Sequence, residues 1–113
     1  MSDQLGVVVV SHNSRDDLPA CLRALGAAAG VARVVVVDNA STDGSSEVVR
    51  QLPGPPVELL ALETNTGYAG GCNRGFQRLG DNVAAVAVLN PDVVVRPDCL
   101  ERAVRALLVA ADV

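Results

Sequence analysis

Twice near its start this chain runs four valines together and then turns abruptly polar, at Val7-Val8-Val9-Val10-Ser11-His12-Asn13 and at Val34-Val35-Val36-Val37-Asp38-Asn39. An unbroken β-branched run has no polar face to give to water, so it belongs in a sheet covered on both sides, which means a parallel one. Parallel neighbours need long crossovers, usually helical. The intervening segments supply them. From Arg15 to Ala29 the residues Leu18, Cys21, Leu22 and Leu25 recur at helical spacing, with Asn13 or Ser14 suited to cap the start and Gly30 to end it. The second run, Val31 to Val37, leads to a short helix ending near Gln51, and Pro53-Gly54-Pro55-Pro56 breaks it. Val57 to Leu62 reads as a third strand, Asn65-Thr66-Gly67 opens a glycine-rich helix, and Val83 to Leu89 reads as a fourth strand stopping at Asn90-Pro91-Asp92. Pro97, followed by Leu100, Ala103, Val104, Leu107 and Leu108, begins a closing amphipathic helix. The alternation predicts an α/β chain with an open, doubly wound, mostly parallel sheet.

A length of 113 residues allows one core and therefore one domain, residues 1–113. With 50% hydrophobic residues and 19% charged ones, the chain is expected to fold. Its net charge of -4 offers no footprint for a nucleic acid backbone. All nine basic residues are arginine, which removes a P-loop lysine and a Schiff-base lysine. No two glycines are separated by a single residue, so the dinucleotide fingerprint G-x-G-x-x-G is missing. The apolar stretches Val83 to Leu89 and Ala106 to Ala111 fall short of the ~20 residues that span a bilayer. Met1 to Gln4 carry no basic segment of a secretory signal, so a cytoplasmic protein without a membrane span is expected. Cys21, Cys72 and Cys99 are odd in number and lack metal-type spacing; they read as buried thiols.

Ligands on such sheets bind outside the carboxyl ends of the strands. Ser11 to Asn13, Asp38 to Asp43, Glu63 to Asn65 and Asn90 to Asp92 each follow an apolar run, so all four are expected on one rim. Any loop after a buried strand must be polar for its own backbone, which makes each segment weak evidence alone. Together they suit a ligand held by carboxylates, amides and backbone. Asp43 stands before Gly44-Ser45-Ser46-Glu47 and reads as a helix cap.

Three motifs resemble the inverting family 2 glycosyltransferases, in particular their rhamnosyltransferase-like branch. They are the two valine runs with Ser11-His12-Asn13 and Asp38-Asn39-Ala40-Ser41-Thr42-Asp43-Gly44-Ser45; Asn65-Thr66-Gly67-Tyr68-Ala69-Gly70-Gly71-Cys72-Asn73-Arg74-Gly75; and Leu89-Asn90-Pro91-Asp92-Val93. The resemblance implies the N-terminal half of a nucleotide-diphospho-sugar transferase of the type A fold. Asp38 would then accept a hydrogen bond from a pyrimidine base, with Ser11, His12, Asn13 and Asn39 lining it. His12 would stack or pack rather than transfer protons. Gly70 and Gly71 would let the chain pass close to the nucleotide, though tight helix packing explains them equally well; Asn65 and Asn73 would face the donor. Asn90-Pro91-Asp92 resembles the family's D-x-D motif with asparagine in first place, leaving Asp92 as ligand to Mg2+ or Mn2+ and Asn90 to face the ribose or sugar.

The implied donor is a UDP- or dTDP-sugar, and the implied acceptor a saccharide or lipid-linked saccharide in cell-envelope polysaccharide synthesis. The resemblance places the full-length enzyme in the cytoplasm, peripheral to the inner face of the membrane. The family's catalytic base belongs to a second half that no residue here matches, so the base is expected outside this chain. Without that half the fourth strand is expected to present an open edge and to favour a homodimer. A nucleotide-binding module without catalysis remains an alternative. A nucleotidyltransferase is a weaker one, because Ser11-His12-Asn13-Ser14 is neither glycine-rich nor basic.

Overall fold

The computed structural model describes residues 5–52, 57–103 and 105. The strands are β1 (Leu5–Ser11), β2 (Val31–Asn39), β3 (Glu58–Leu62) and β4 (Ala85–Leu89), and the helices are α1 (Leu18–Ala27), α2 (Ser45–Gln51) and α3 (Gly67–Leu79). All three strand pairings are parallel and the order is β3-β2-β1-β4. The fold is the open, doubly wound α/β sheet that the valine runs predict.

The period of two along β1 and β2 divides their valines between two cores. Val7, Val9, Val34 and Val36 pack with Leu18, Cys21, Leu22 and Leu25 of α1 and Val49 of α2. Val8, Val10, Val35 and Val37 pack with Cys72 and Leu79 of α3. Helices α1 and α2 thus cover one face and α3 the other. Right-handed crossovers require this arrangement, because the chain moves outward from β1 through β2 to β3 and then returns past β1 to reach β4. The winding reverses between β1 and β4.

Several boundaries differ from the sequence-based expectation. Strand β2 runs through Asp38 and Asn39, since both continue the ladder: Asp38 pairs with Ser11 and Ala61, and Asn39 with Leu62. Helix α1 begins at Leu18 rather than Arg15, because the amides of Asp17 and Leu18 both turn back to the Ser14 carbonyl. Asn13 and Ser14 therefore do not cap α1. Strands β3 and β4 start one and two residues later than expected. Helical residues 99–103 follow Pro97 as anticipated. Pro53 to Pro56, Val104, Leu107, Leu108 and the stretch from Ala106 to Ala111 lie outside the described residues. Cys21 and Cys72 are buried but Cys99 is exposed, on the solvent side of that last helix.

Helix α3 sits unusually close to β1 because two glycines, one turn apart, face the valines. A Cβ on Gly75 would lie 2.4 Å from Val8 Cγ1, and one on Gly71 would lie 2.7 Å from Val10 Cγ1. At the opposite end of the helix an ionic clamp ties α3 to the sheet. Arg33 donates Nε to Glu58 Oε2 at 2.9 Å and Nη2 to Glu58 Oε1 at 2.8 Å, while Arg78 Nε reaches Oε1 at 2.9 Å. Arg33 also donates to the carbonyls of Leu79 and Arg78, the negative end of the α3 dipole. Hydrogen bonds from Arg33, outweighing burial and aided by Arg78, hold the Glu58 carboxyl below its ordinary range.

Two stability effects follow. Gly75→Ala should lower unfolding free energy by about 2 kcal/mol in chemical denaturation, the usual cost of overfilling a tight core. Because the native carboxyl of Glu58 titrates below the unfolded one, its contribution is present above the ordinary value of 4.5 and disappears as pH falls through the lowered value. Glu58→Gln should cost about 1 kcal/mol at pH 7, and the difference from wild type should shrink in melts run toward pH 3.

Candidate functional site

Because every strand is parallel, all four deliver their C-terminal residues to one rim. Ser11 of β1 stands level with Asp38 of β2, and Val9 of β1 with Leu89 of β4. The exits of β2 and β4 are two strand spacings apart, roughly 10 Å, with β1 between them. The winding reverses between β1 and β4, and sheets of this type take their ligands at the carboxyl-end rim beside such a reversal. Asp38 and Asp92 thus share one edge of the molecule.

The alternation that sorts the valines also sorts the rim. Ser11 and Asp38 continue the α1–α2 face, whereas Asn39 continues the α3 face. Asp38 is only 4% exposed, and both of its oxygens accept from hydroxyls, Oδ1 from Ser41 and Oδ2 from Ser46. Each carboxylate oxygen retains a lone pair for a further donor. Beside it, the Ser11 hydroxyl is fully buried and has no hydrogen-bond partner among the described residues. A buried hydroxyl left unpaired costs about 1–3 kcal/mol, so a partner is expected to reach it.

The loops after β1 and β2 are stitched together. Asn13 N donates to Ser41 Oγ at 2.8 Å, and Thr42 N returns a bond to Asn13 Oδ1 at 2.9 Å. Ser14 N donates to Ser45 Oγ, and Arg15 N to Asp43 Oδ2. Asp43 is not the helix cap expected of it: Gly44 holds the N-cap position of α2, and Asp43, one residue further out, accepts from Ser45 N at 3.0 Å. The Ser45 hydroxyl holds the Asp43 carboxyl below its ordinary range against the opposing effect of burial, with a smaller contribution from the Arg15 and Ser45 amides. Asn13 and Ala40 adopt left-handed backbone, with φ of 52° and 55°.

On the other face, Asn39 is a bracket for α3. Its Oδ1 accepts from Thr66 N at 3.0 Å and Thr66 Oγ1 at 2.8 Å, and its Nδ2 donates to Gly67 O at 3.0 Å. Asn39 is 2% exposed, and its side-chain amide is bonded at both ends to the start of α3. Gly71 is likewise taken up by packing under Val10, and a Cβ on Gly70 would strike Thr66 of its own helix, 2.7 Å away. Packing against β1 is a reason for Gly71 to lack a Cβ, and the Thr66 side chain at the start of the same helix is one for Gly70. Asn65 is exposed and accepts from Gly67 N at the start of α3, and Asn73 is exposed on that helix. His12 is exposed, with Nδ1 2.7 Å from the Asn39 carbonyl.

After β4, Asn90 to Val93 form a tight turn closed by Val93 N to Asn90 O, with Pro91 in the position that such turns favour. Asn90 and Asp92 are both exposed. Asp92 acts on α1: burial first, then the charges of Asp92 and Asp17, pushes the Cys21 thiol up to about 11. Among the described residues no three His, Cys, Asp or Glu side chains gather into a metal cluster, and Asp92 has no ion-pair partner. A single free carboxylate does not suit a structural ion. It does suit Mg2+ or Mn2+ that draws its remaining oxygens from a substrate diphosphate and water.

Ser41, Ser46 and Thr66 are the residues of this rim that the sequence reading passes over. Their signal lies in the run Asp38-Asn39-Ala40-Ser41-Thr42-Asp43-Gly44-Ser45-Ser46, where hydroxyls read as turn and capping residues serve as donors to a buried carboxylate.

Residues 6–113 match the model of the family described as Glycosyl transferase family 2. The chain is 38% identical over 96 residues to the succinoglycan biosynthesis protein ExoO of Rhizobium meliloti (strain 1021), an alignment covering 84% of this chain and 27% of that protein. Its fold resembles S. aureus TarS residues 1–349 in complex with UDP-GlcNAc, with a TM-score of 0.74 and 23% identity over 90% of this chain and 30% of the other. The UDP complex of the same TarS fragment gives a TM-score of 0.73 at 24% identity, covering 90% of this chain and 31% of that one. The chain therefore spans less than a third of each of these proteins.

The burial contrast among the thiols yields a direct check. At pH 8 in native buffer Cys99 should react with a disulfide reagent at the rate of a free thiol, while Cys21 should stay unlabelled until the protein is denatured. Labelling of Cys21 at the Cys99 rate would contradict its placement on the buried face of α1.

Proposed function

The chain belongs to glycosyl transferase family 2, and we propose that it is the donor-binding part of an inverting glycosyltransferase that takes a pyrimidine nucleoside diphosphate sugar together with Mg2+ or Mn2+. The observation carrying this reading is the pair Ser11 and Asp38: a buried hydroxyl with no hydrogen-bond partner among the described residues, level with a buried carboxylate at the rim where the winding reverses. A pyrimidine base presents both an N–H and carbonyl oxygens, so Asp38 would accept from it and Ser11 would donate to it. UDP and UDP-GlcNAc in the TarS complexes support a donor of this class.

Each residue then has a distinct task. Ser41 and Ser46 hold the Asp38 carboxylate in one orientation, so little ordering remains when base arrives. The stitched loops after β1 and β2 keep Asn13 and His12 beside the base. Asn65 and Asn73 line the donor from the start and the outer side of α3, and Asn90 offers its amide to the ribose or sugar. Asp92 would hold the divalent ion, whose chemistry is to neutralise charge on the departing diphosphate. No residue of this chain is assigned as the base that deprotonates the acceptor; that group would come from elsewhere in a longer enzyme. The acceptor class is a saccharide or lipid-linked saccharide of the cell envelope, with dTDP-deoxysugar donors of the rhamnosyl type as one form of the reading. The enzyme would work in the cytoplasm at the inner face of the membrane. Strand β4, which among the described residues pairs with β1 alone, supports pairing with a second copy.

Calorimetric titration tests the reading. UDP should bind, with affinity raised about tenfold or more by MnCl2, a gain of roughly 1.4 kcal/mol or more. Asp92→Asn should abolish the gain from manganese while leaving metal-free binding, and Asp98→Asn, at an exposed position away from the rim, should change neither. Absence of UDP binding with and without manganese would remove the proposal.

A further inference from the structure

Three bonds around His12 have polarities that can be read without seeing a proton. The Asn39 carbonyl can only accept, so the ring nitrogen 2.7 Å away, Nδ1, must carry hydrogen. The Thr42 amide can only donate, so the Asn13 atom 2.9 Å from it must be Oδ1. That fixes the Asn13 amide, and its Nδ2 then faces His12 Nε2 at 3.4 Å. Since Nδ2 can only donate, Nε2 must be bare. The three bonds agree on one state of the ring, neutral with hydrogen on Nδ1, the reverse of the tautomer that free histidine favours in water.

We propose that His12 is a positioning residue, a neutral Nδ1–H strut from the Asn39 carbonyl to the Asn13 amide that holds the loop after β1 in its ligand-receiving shape. The strut is needed because Asn13 sits at φ 52°, a left-handed conformation that it must be held in. Three of its four polar groups are secured: N–H to Ser41 Oγ, Oδ1 by Thr42 N, and Nδ2 to His12. Asn39 links this strut to the opposite face of the sheet, since the residue whose carbonyl receives His12 brackets Thr66 and Gly67 with its side chain. The Nδ1–H is directed to the Asn39 carbonyl and the one ring lone pair, on Nε2, to Asn13 Nδ2, so both ring nitrogens serve the loop.

The consequence for ligand binding rests on the donor reading above, but the strut itself does not, and the tests separate them. His12 is the only histidine in the chain, so long-range 1H–15N spectra of uniformly labelled protein at pH 8 report this ring alone. Hydrogen on Nδ1 is the expected result; an Nε2–H ring would overturn the inference whatever UDP does. Amide exchange at Thr42 should rise about fivefold in His12→Ala, as for loss of one ordinary hydrogen bond. It should return toward wild type in His12→Asn, whose amide nitrogen can replace Nδ1. Unchanged exchange in His12→Ala, or no recovery in His12→Asn, would also overturn the strut. If donor binding holds, UDP affinity should follow the same order of variants. Equal UDP affinity in wild type and His12→Ala would refute the positioning role, and absence of UDP binding in wild type would refute the donor reading while the spectra still decide on the ring.

Discussion

Strand β1 is hydrogen-bonded to a parallel neighbour on each side and packed by helices on both faces, and the rest of the molecule is arranged around that double burial. Its seven residues are all buried. A strand in this position can hold nothing but apolar side chains until it leaves the sheet, so its first polar residue, Ser11, is also the first point at which it can meet a ligand. Strand β2 is buried from Val34 through Asn39 and over that stretch turns polar only at its last two residues, Asp38 and Asn39. The buried polar groups of both strands thus gather at one rim, beside the reversal of winding.

The rim is built as two layers with different work. On the α1–α2 face, Asp38 gathers hydroxyls from Ser41 and Ser46 and keeps lone pairs in reserve, next to a Ser11 hydroxyl with none of its own bonding met. On the α3 face, Asn39 spends its amide on Thr66 and Gly67, and Gly71 and Gly75 let α3 settle onto Val10 and Val8. One layer holds the scaffold closed and the other is left with capacity to bind. A one-residue shift of β2 would exchange Asp38 and Asn39 between these roles, which is why the Ser11–Asp38 register matters more than either residue alone.

The valine runs made the sheet legible because a stretch without a polar face admits few environments. The rim segments were legible for the complementary reason, that polarity returns only where a strand ends. What the sequence reading could not separate was alternation within the last turn of a strand. Asp38 and Asn39 look alike as neighbours in one motif, yet they point to opposite layers because β2 continues through both. The glycines of α3 were ambiguous in the same way, since close approach to a nucleotide and close approach to a valine ask for the same missing Cβ. The Asn13 side-chain oxygen, expected to cap α1, instead accepts from the Thr42 amide 29 positions away, a contact that no local pattern announces. Cys99 read as buried because free cysteine is usually so, but it lies on the outer side of its helix.

A crystal structure of the chain with UDP and manganese would bear most directly on the central claim. The account predicts the base against Ser11 and Asp38, with an anomalous manganese peak bonded to the Asp92 carboxylate and to the diphosphate. A nucleotide bound away from that rim, or manganese held without Asp92, would contradict it.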